Sequence, residues 1–382
     1  MVARPLTVIQ MVPGLDSGGV ERGTLEIGAY LASRGHRSIV VSSGGRLVPE
    51  LVVGGSRHVR MPVEDHGPRA LRAFSPLRDL VLTEKPDILH LRSRMPAWVA
   101  MAVLGSLPAP TRPRVVTTFH GLYSPHPGSA VMARGERVIA ISRFIYRHVR
   151  ERYRVPPERL VIIPRGYDPE KFDPAAVEHS RVEALQRKWG VDPEAGPVLI
   201  MCGRITPIKG WEVFLDALSL IREFPYTAVC VGDKRDNPDY AARLQARVEE
   251  LGLSGRVVFP GHCPDMPAAF AAADIAVSAS VHPEAFGRVA VEAQAMGLPV
   301  AATAHGGSLE TVVHGHTGWL VPPGNAPALA AALARGVARP GERRQLGENA
   351  RARVGRFTTE NMCEKTLAVY EELVLGKGCA GR

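Results

Sequence analysis

The chain has 382 residues, 45% hydrophobic and 22% charged, with a formal net charge of +9 at pH 7, which supplies sizeable cores for about two globular domains. No run approaches the roughly 18 uninterrupted apolar residues of a membrane span. The opening "MVARPLTVIQMVPG" has too short an apolar run, and no cleavage site, for a signal peptide, so a cytoplasmic protein is expected.

The five cysteines, Cys202, Cys230, Cys263, Cys363 and Cys379, are odd in number and form no Cys-x-x-Cys pair. They indicate neither disulfides nor a zinc site and are expected to be reduced. Residues 1–190 carry 28 Lys+Arg against 17 Asp+Glu, net +11, whereas residues 191–382 carry 19 against 21, net −2. A basic half suits nucleic acid, a membrane surface or a phosphorylated substrate, and a solvated basic face is the plain alternative.

In chain order, short β-branched runs alternate with helical stretches. "LTVIQMV" (6–12), "RSIVVSS" (37–43), "DILHL" (87–91), "RVVTTFH" (114–120), "RVIAIS" (137–142) and "LVIIPRG" (160–166) read as buried parallel strands, with "GTLEIGAYLASRG" a helix ending at Gly35. A second series follows "KWGVDPEAGP": "VLIMCG" (198–203), "TAVCVGD" (227–233), "RVVFPG" (256–261), "IAVSAS" (275–280) and "LPVAAT" (298–303). The expected fold is therefore α/β, with two Rossmann-like domains, 1–175 and 176–357, facing a central cleft. By analogy, the last helix, 358–376, packs back on the first domain.

Ligands of open α/β sheets bind beyond the carboxyl ends of strands, so the loops there hold the candidate residues. After the first strand, Gly18 and Gly19 precede a helix whose amides can hold phosphate, although a glycine turn needed for packing reads equally well. The spacing is not that of a dinucleotide fingerprint, and the second strand ends in Ser42 and Ser43 without an acidic residue. In "GRITPIKGWEVFLDAL", Arg204 and Lys209 lie beside a helix N-terminus, whose dipole would repel them unless an anion intervened. Diphosphate fits, and two exposed surface cations are the alternative. In "HPEAFGRVAVEAQAMGLPV", Glu292 lies among apolar neighbours and requires donors: Arg288 one turn earlier, or a pair of ligand hydroxyls such as a ribose diol. Glu284 precedes that helix beside Phe286 and Gly287, whose free amides are expected to face a polar ligand.

Glu284 and Glu292 in "PEAFGRVAVEAQAMGLPV", followed by "HGGSLETVVHGHTGWLVPPG" and preceded by "GRITPIKG" and "GGVERGTLEIGAYLASRGH", resemble the group 1 retaining glycosyltransferases of family 4, which have the GT-B fold. The resemblance implies transfer of a sugar from a nucleoside diphosphate sugar with retention of anomeric configuration. It assigns Gly18 and Gly19, with Arg204 and Lys209, to the diphosphate and Glu292 to the ribose. Glu284, the amides of Phe286 and Gly287, and Val289 fall to the donor sugar's side of the site. His120, in "TTFHG", matches the family's histidine near the transferred sugar. The catalytic set implied is His120, Arg204, Lys209 and Glu284.

No cofactor and no metal are expected, since the chain has no Asp-x-Asp pair and the cations supply the charge on the leaving group. Nothing in "GHCPDMP", expected to flank the base, separates uridine from guanosine; a UDP-sugar is preferred over a GDP-sugar as donor. Arg165 stands where many family members carry Asn, and this points towards a glycan or glycolipid acceptor in cell-surface polysaccharide or lipopolysaccharide biosynthesis. The stretch "SRFIYRHVRERYR" (142–154) combines Arg143, Arg147, His148, Arg150, Arg152 and Arg154 with Phe144, Ile145 and Tyr146 as candidate insertion residues, so peripheral contact with an anionic membrane is expected and nucleic acid is not. Two other functions compete: a non-catalytic nucleotide-sugar sensor or scaffold, and a nucleotide-sugar epimerase of the same fold.

Overall fold

The computed structural model describes residues 4–16, 18–65 and 67–379. Cys379's side chain lies outside this description; Cys202, Cys230, Cys263 and Cys363 are free thiols. The chain divides into two compact units, one running to Gly166 and resuming at Thr359, the other Tyr167–Thr358.

The first unit is built on β1 (Thr7–Met11), β2 (Arg37–Ser42), β3 (Arg57–Arg60), β4 (Ile88–Leu91), β5 (Arg114–Phe119), β6 (Arg137–Ala140) and β7 (Leu160–Ile162). They form one parallel sheet in the order β3-β2-β1-β4-β5-β6-β7. The register sets Ile39, Ile9, Leu89 and Val115 in one row across four strands, all of them buried. A sheet covered on both faces demands such continuous apolar runs. The helix Gly19–Ser33 begins four residues earlier than "GTLEIGAYLASRG". It closes with Gly35 at φ +78° and the His36 amide donating to the Leu31 carbonyl, the 6→1 bond that glycine permits at a helix end.

The helix Thr359–Cys379 belongs to this unit: Met362, Cys363, Val369, Tyr370 and Leu373 share a core with Leu6, Val8, Ile27, Ile88 and Val116. The Tyr370 hydroxyl meets His90 Nδ1 at 2.6 Å, and His90 Nε2 meets Thr118 Oγ1 at 2.7 Å. Burial, reinforced by Arg92, holds His90 well below the usual histidine range, so it is neutral here.

The second unit contains β8 (Val198–Cys202), β9 (Thr227–Val231), β10 (Val257–Gly261), β11 (Ile275–Ser278), β12 (Val300–Thr303) and β13 (Gly318–Val321), all parallel, in the order β10-β9-β8-β11-β12-β13. Residues 167–175, placed by the sequence reading in the first domain, lie in this unit. The Tyr167 amide donates to the Phe357 carbonyl at 2.9 Å, and Phe172 packs on Phe270 with ring centroids 6.3 Å apart. In each sheet the strand order reverses once, between β1 and β4 and between β8 and β11, and the loops after those strands flank the opening that results.

Candidate active site

In the second unit the loop after β8 and the loop after β11 are packed directly together. Gly210, at φ +75°, starts the helix Trp211–Ser219, and a side chain there would run into the Ala279 carbonyl. The Val281 amide donates to the Ile208 carbonyl at 3.0 Å, and Trp211 Nε1 to the Arg204 carbonyl at 3.0 Å. This backbone lacing sets Lys209 Nζ 2.5 Å from Glu284 Oε1. Ser280 Oγ donates to the same oxygen at 2.6 Å.

Burial would raise the Glu284 carboxyl, yet Lys209, Ser280 and nearby His305 outweigh it and hold the group below the usual carboxylate range. The cation that the sequence reading left facing a helix N-terminus is thus answered by a carboxylate of its own unit. Arg204, in contrast, is exposed.

Glu284 is held from behind as well. Its carbonyl accepts from the Gly307 amide at 2.7 Å, and a side chain at Gly307 would collide with the Phe286 backbone. Phe286 is 3% exposed and packs edge-to-face on Phe357, so its ring belongs to the core. Gly287, at φ +91°, opens the helix Arg288–Ala295, whose first amides, Val289 included, have no carbonyl partner within the helix. Within it Arg288 Nε donates to Glu292 Oε1 at 2.7 Å. Of the two partners the sequence offered Glu292, the structure therefore supplies the internal one. Asp265, in the loop "GHCPDMP", is engaged too: it pairs with Arg181 at 2.7 Å and caps the helix Met266–Ala271.

In the first unit Gly18 is the cap and Gly19 the first residue of the helix Gly19–Ser33. A side chain at Gly19 would meet nothing within 4 Å, so packing does not require a glycine there. His120 follows β5, and its Nε2 is buried without a hydrogen-bond partner among the described residues. Burial, with Arg92, Arg165 and His90, holds it well below the usual histidine range, so the ring is neutral. Sequence reasoning missed Arg92, which is 1% exposed just after β4 and donates to Gln10 Oε1 at 3.3 Å. Arg165 is 5% exposed, donates to the Gly19 carbonyl, and fills the space a side chain at Gly23 would need.

The helix Arg143–Tyr153 corrects one expectation: Ile145 is fully buried and cannot insert into a membrane. Its outer side borders an open groove of about 610 Å³ lined by Leu122, Phe144, Arg147 and Arg152. Among the described residues no helix is long and apolar enough to cross a membrane, and no three His, Cys, Asp or Glu are grouped to hold a metal ion.

Residues 183–353 match the family model of glycosyl transferases group 1, and residues 17–171 that of glycosyltransferase family 4. The chain superposes on a glycosyltransferase from Rickettsia africae with a TM-score of 0.90 at 33% identity, covering 97% of this chain and 99% of that one. The chain belongs to the group 1 glycosyltransferases. It shares their GT-B fold, as the likeness to HepE of Anabaena solved with UDP-glucose also shows, with a TM-score of 0.83 at 24% identity over 96% of this chain and all of that one. A D-inositol 3-phosphate glycosyltransferase of Salinispora arenicola is 33% identical over 65% of this group 1 chain and 57% of its own length. The match thus spans little more than half of that curated relative.

Proposed function

We propose that the protein transfers a sugar, with retention of configuration and without a metal ion, from a nucleoside diphosphate sugar to a hydroxyl of a glycan or glycolipid. The observation that carries this reading is the Lys209–Glu284 pair at the point where the second sheet reverses its strand order, beside the amides of Gly287 and Val289. One cation for a leaving phosphate, one carboxylate for sugar hydroxyls and a helix N-terminus are the parts that donor cleavage needs.

Breaking the anomeric bond puts negative charge on the departing diphosphate. Lys209, with Arg204, stabilises that charge, at about 3 kcal/mol for a well-placed donor. Glu284 and the Phe286 and Gly287 amides orient the sugar, and Glu292 takes the ribose hydroxyls in exchange for Arg288. In the first unit the family pattern gives Gly18 and Gly19 to phosphate and His120 to the sugar; a neutral His120 accepts or donates one hydrogen bond without opposing the leaving charge. The acceptor oxygen attacks on the face the phosphate leaves, and its proton passes to that phosphate, so no separate base is required.

HepE, solved with UDP-glucose, supports a UDP-sugar donor. The acceptor reading is a lipid-linked glycan of bacterial cell-surface or lipopolysaccharide synthesis, reached through peripheral contact of the arginine-rich helix with an anionic membrane. The name of the Salinispora relative favours a second reading, a phosphorylated polyol. Thermal stabilisation by a panel of UDP- and GDP-sugars identifies the donor. Product analysis with inositol phosphate, with a lipid-linked glycan and with no acceptor then separates these readings. An epimerase changes its donor with no acceptor present, and a sensor makes no product.

A further inference from the structure

We propose that the Lys209–Glu284 ion pair is an exchangeable latch that makes the site favour a sugar-bearing donor over the spent nucleoside diphosphate. The inference rests on the assignment of this site to a nucleoside diphosphate sugar.

Lys209 and Ser280 both bond Glu284 Oε1, at 2.5 and 2.6 Å, which leaves Oε2 without a donor among the described residues. The Lys209 and Glu284 side chains are 22% and 21% exposed, so the pair is shielded from full solvent screening yet open to a solute. Ser280 is itself fixed: its carbonyl accepts from Thr303 Oγ1 and from His305 Nε2, each at 2.8 Å. Ser280 is therefore a positioning residue, keeping Glu284 in place when Lys209 turns away.

A diphosphate that takes the ammonium removes the charged donor to the carboxylate among the described residues and brings a second anion beside it. Partly desolvated like charges a few ångströms apart repel strongly. When the diphosphate carries a sugar, its hydroxyls donate to Glu284, including the open Oε2, and both former partners end up satisfied. When it carries none, the carboxylate keeps Ser280 alone and faces the phosphate. Glu284 thus opposes the product and accepts the donor, which clears the site after each transfer.

Isothermal titration of the full chain with UDP, GDP, UDP-glucose and GDP-mannose tests the latch, with far-UV circular dichroism as the check on folding. Glu284→Gln is expected to bind the nucleoside diphosphate about tenfold more tightly, because a unit charge next to the phosphate is gone, while affinity for the sugar-bearing donor stays level or falls. Ser280→Ala should shift the same binding the opposite way, since a carboxylate with one donor fewer holds Lys209 harder. Nucleoside diphosphate binding no tighter in folded Glu284→Gln than in the unsubstituted protein overturns the proposal. If Glu284→Gln does not fold, Ser280→Ala decides: weaker diphosphate binding supports the latch, and equal or tighter binding overturns it. An unsubstituted chain that binds neither nucleotide class refutes the donor assignment, a different failure from the latch alone.

Discussion

Lys209→Met removes the ammonium and keeps most of the side-chain volume, leaving Glu284 with Ser280 as its donor among the described residues. Breaking a deeply buried pair costs 3–5 kcal/mol; with about one-fifth of each side chain exposed, a loss of about 2 kcal/mol is expected. For a unit of this size that lowers the melting temperature by about 4–8 °C. The loss should depend on pH with a defined sign. Glu284 is held below the usual carboxylate range, so it adds stability above its unfolded pKa and loses that contribution as pH falls through its folded pKa. The substitution lifts this depression, and the gap between variant and parent should narrow as the solution is taken from neutral into the acid carboxylate range. In turnover, kcat/KM should fall at least about tenfold with an unchanged far-UV spectrum, because the lost charge acts most strongly on the leaving phosphate. Unchanged kinetics would remove Lys209 from the leaving phosphate, and a stability gap that widens on acidification would show that Lys209 does not depress the Glu284 carboxyl.

Gly307→Ala, which drives a methyl group into the Phe286 backbone, should cost about 1–3 kcal/mol and weaken donor binding, read by thermal melts with and without nucleotide. Tyr370→Phe leaves His90 Nδ1 buried without its partner and should cost about 1–3 kcal/mol, measured by urea unfolding; a neutral result would mean that the bond does not tie the last helix to its unit. Co-sedimentation with anionic vesicles should occur at low salt and fade at high salt, and Arg147→Glu with Arg152→Glu should weaken it. Ile145→Ala should instead lower stability by about 2–4 kcal/mol and leave vesicle binding of the folded protein intact, since Ile145 is a core residue.

The two parallel sheets were legible because their central strands are buried on both faces and therefore read as largely apolar, β-branched runs. The two strands that escaped reading, β3 and β13, are both edges. "RHVR" carries three basic residues in four, as edge strands tolerate, and "GWLV" begins with a glycine that breaks the pattern. Motif spacing pointed to Lys209 and Glu284 separately, but nothing local reveals a contact between residues 75 apart in sequence; it depends on β8 and β11 becoming neighbours. His305 was invisible for the same reason, whereas Ser280, four residues before Glu284, makes a local contact that no motif marked. Arg92 left a faint signal, a charge directly after a strand whose residues are all buried. The burial of Ile145 was readable too: it forms an i, i+4 apolar stripe with Val149, and that stripe, not the arginines beside it, sets which side of the helix faces the core.

Sugar transfer with retention, driven by protein cations, is what we propose for this chain. The most direct measurement follows the anomeric protons of donor and product by proton NMR, in excess EDTA, with the donor that stabilises the protein and an acceptor panel. The expected result is one nucleoside diphosphate released per sugar transferred, a product with the donor's anomeric configuration, and a rate that added magnesium or manganese does not raise. Inverted product, an epimerised donor, or turnover abolished by EDTA and restored by manganese would rule out retaining transfer driven by Lys209 and Arg204.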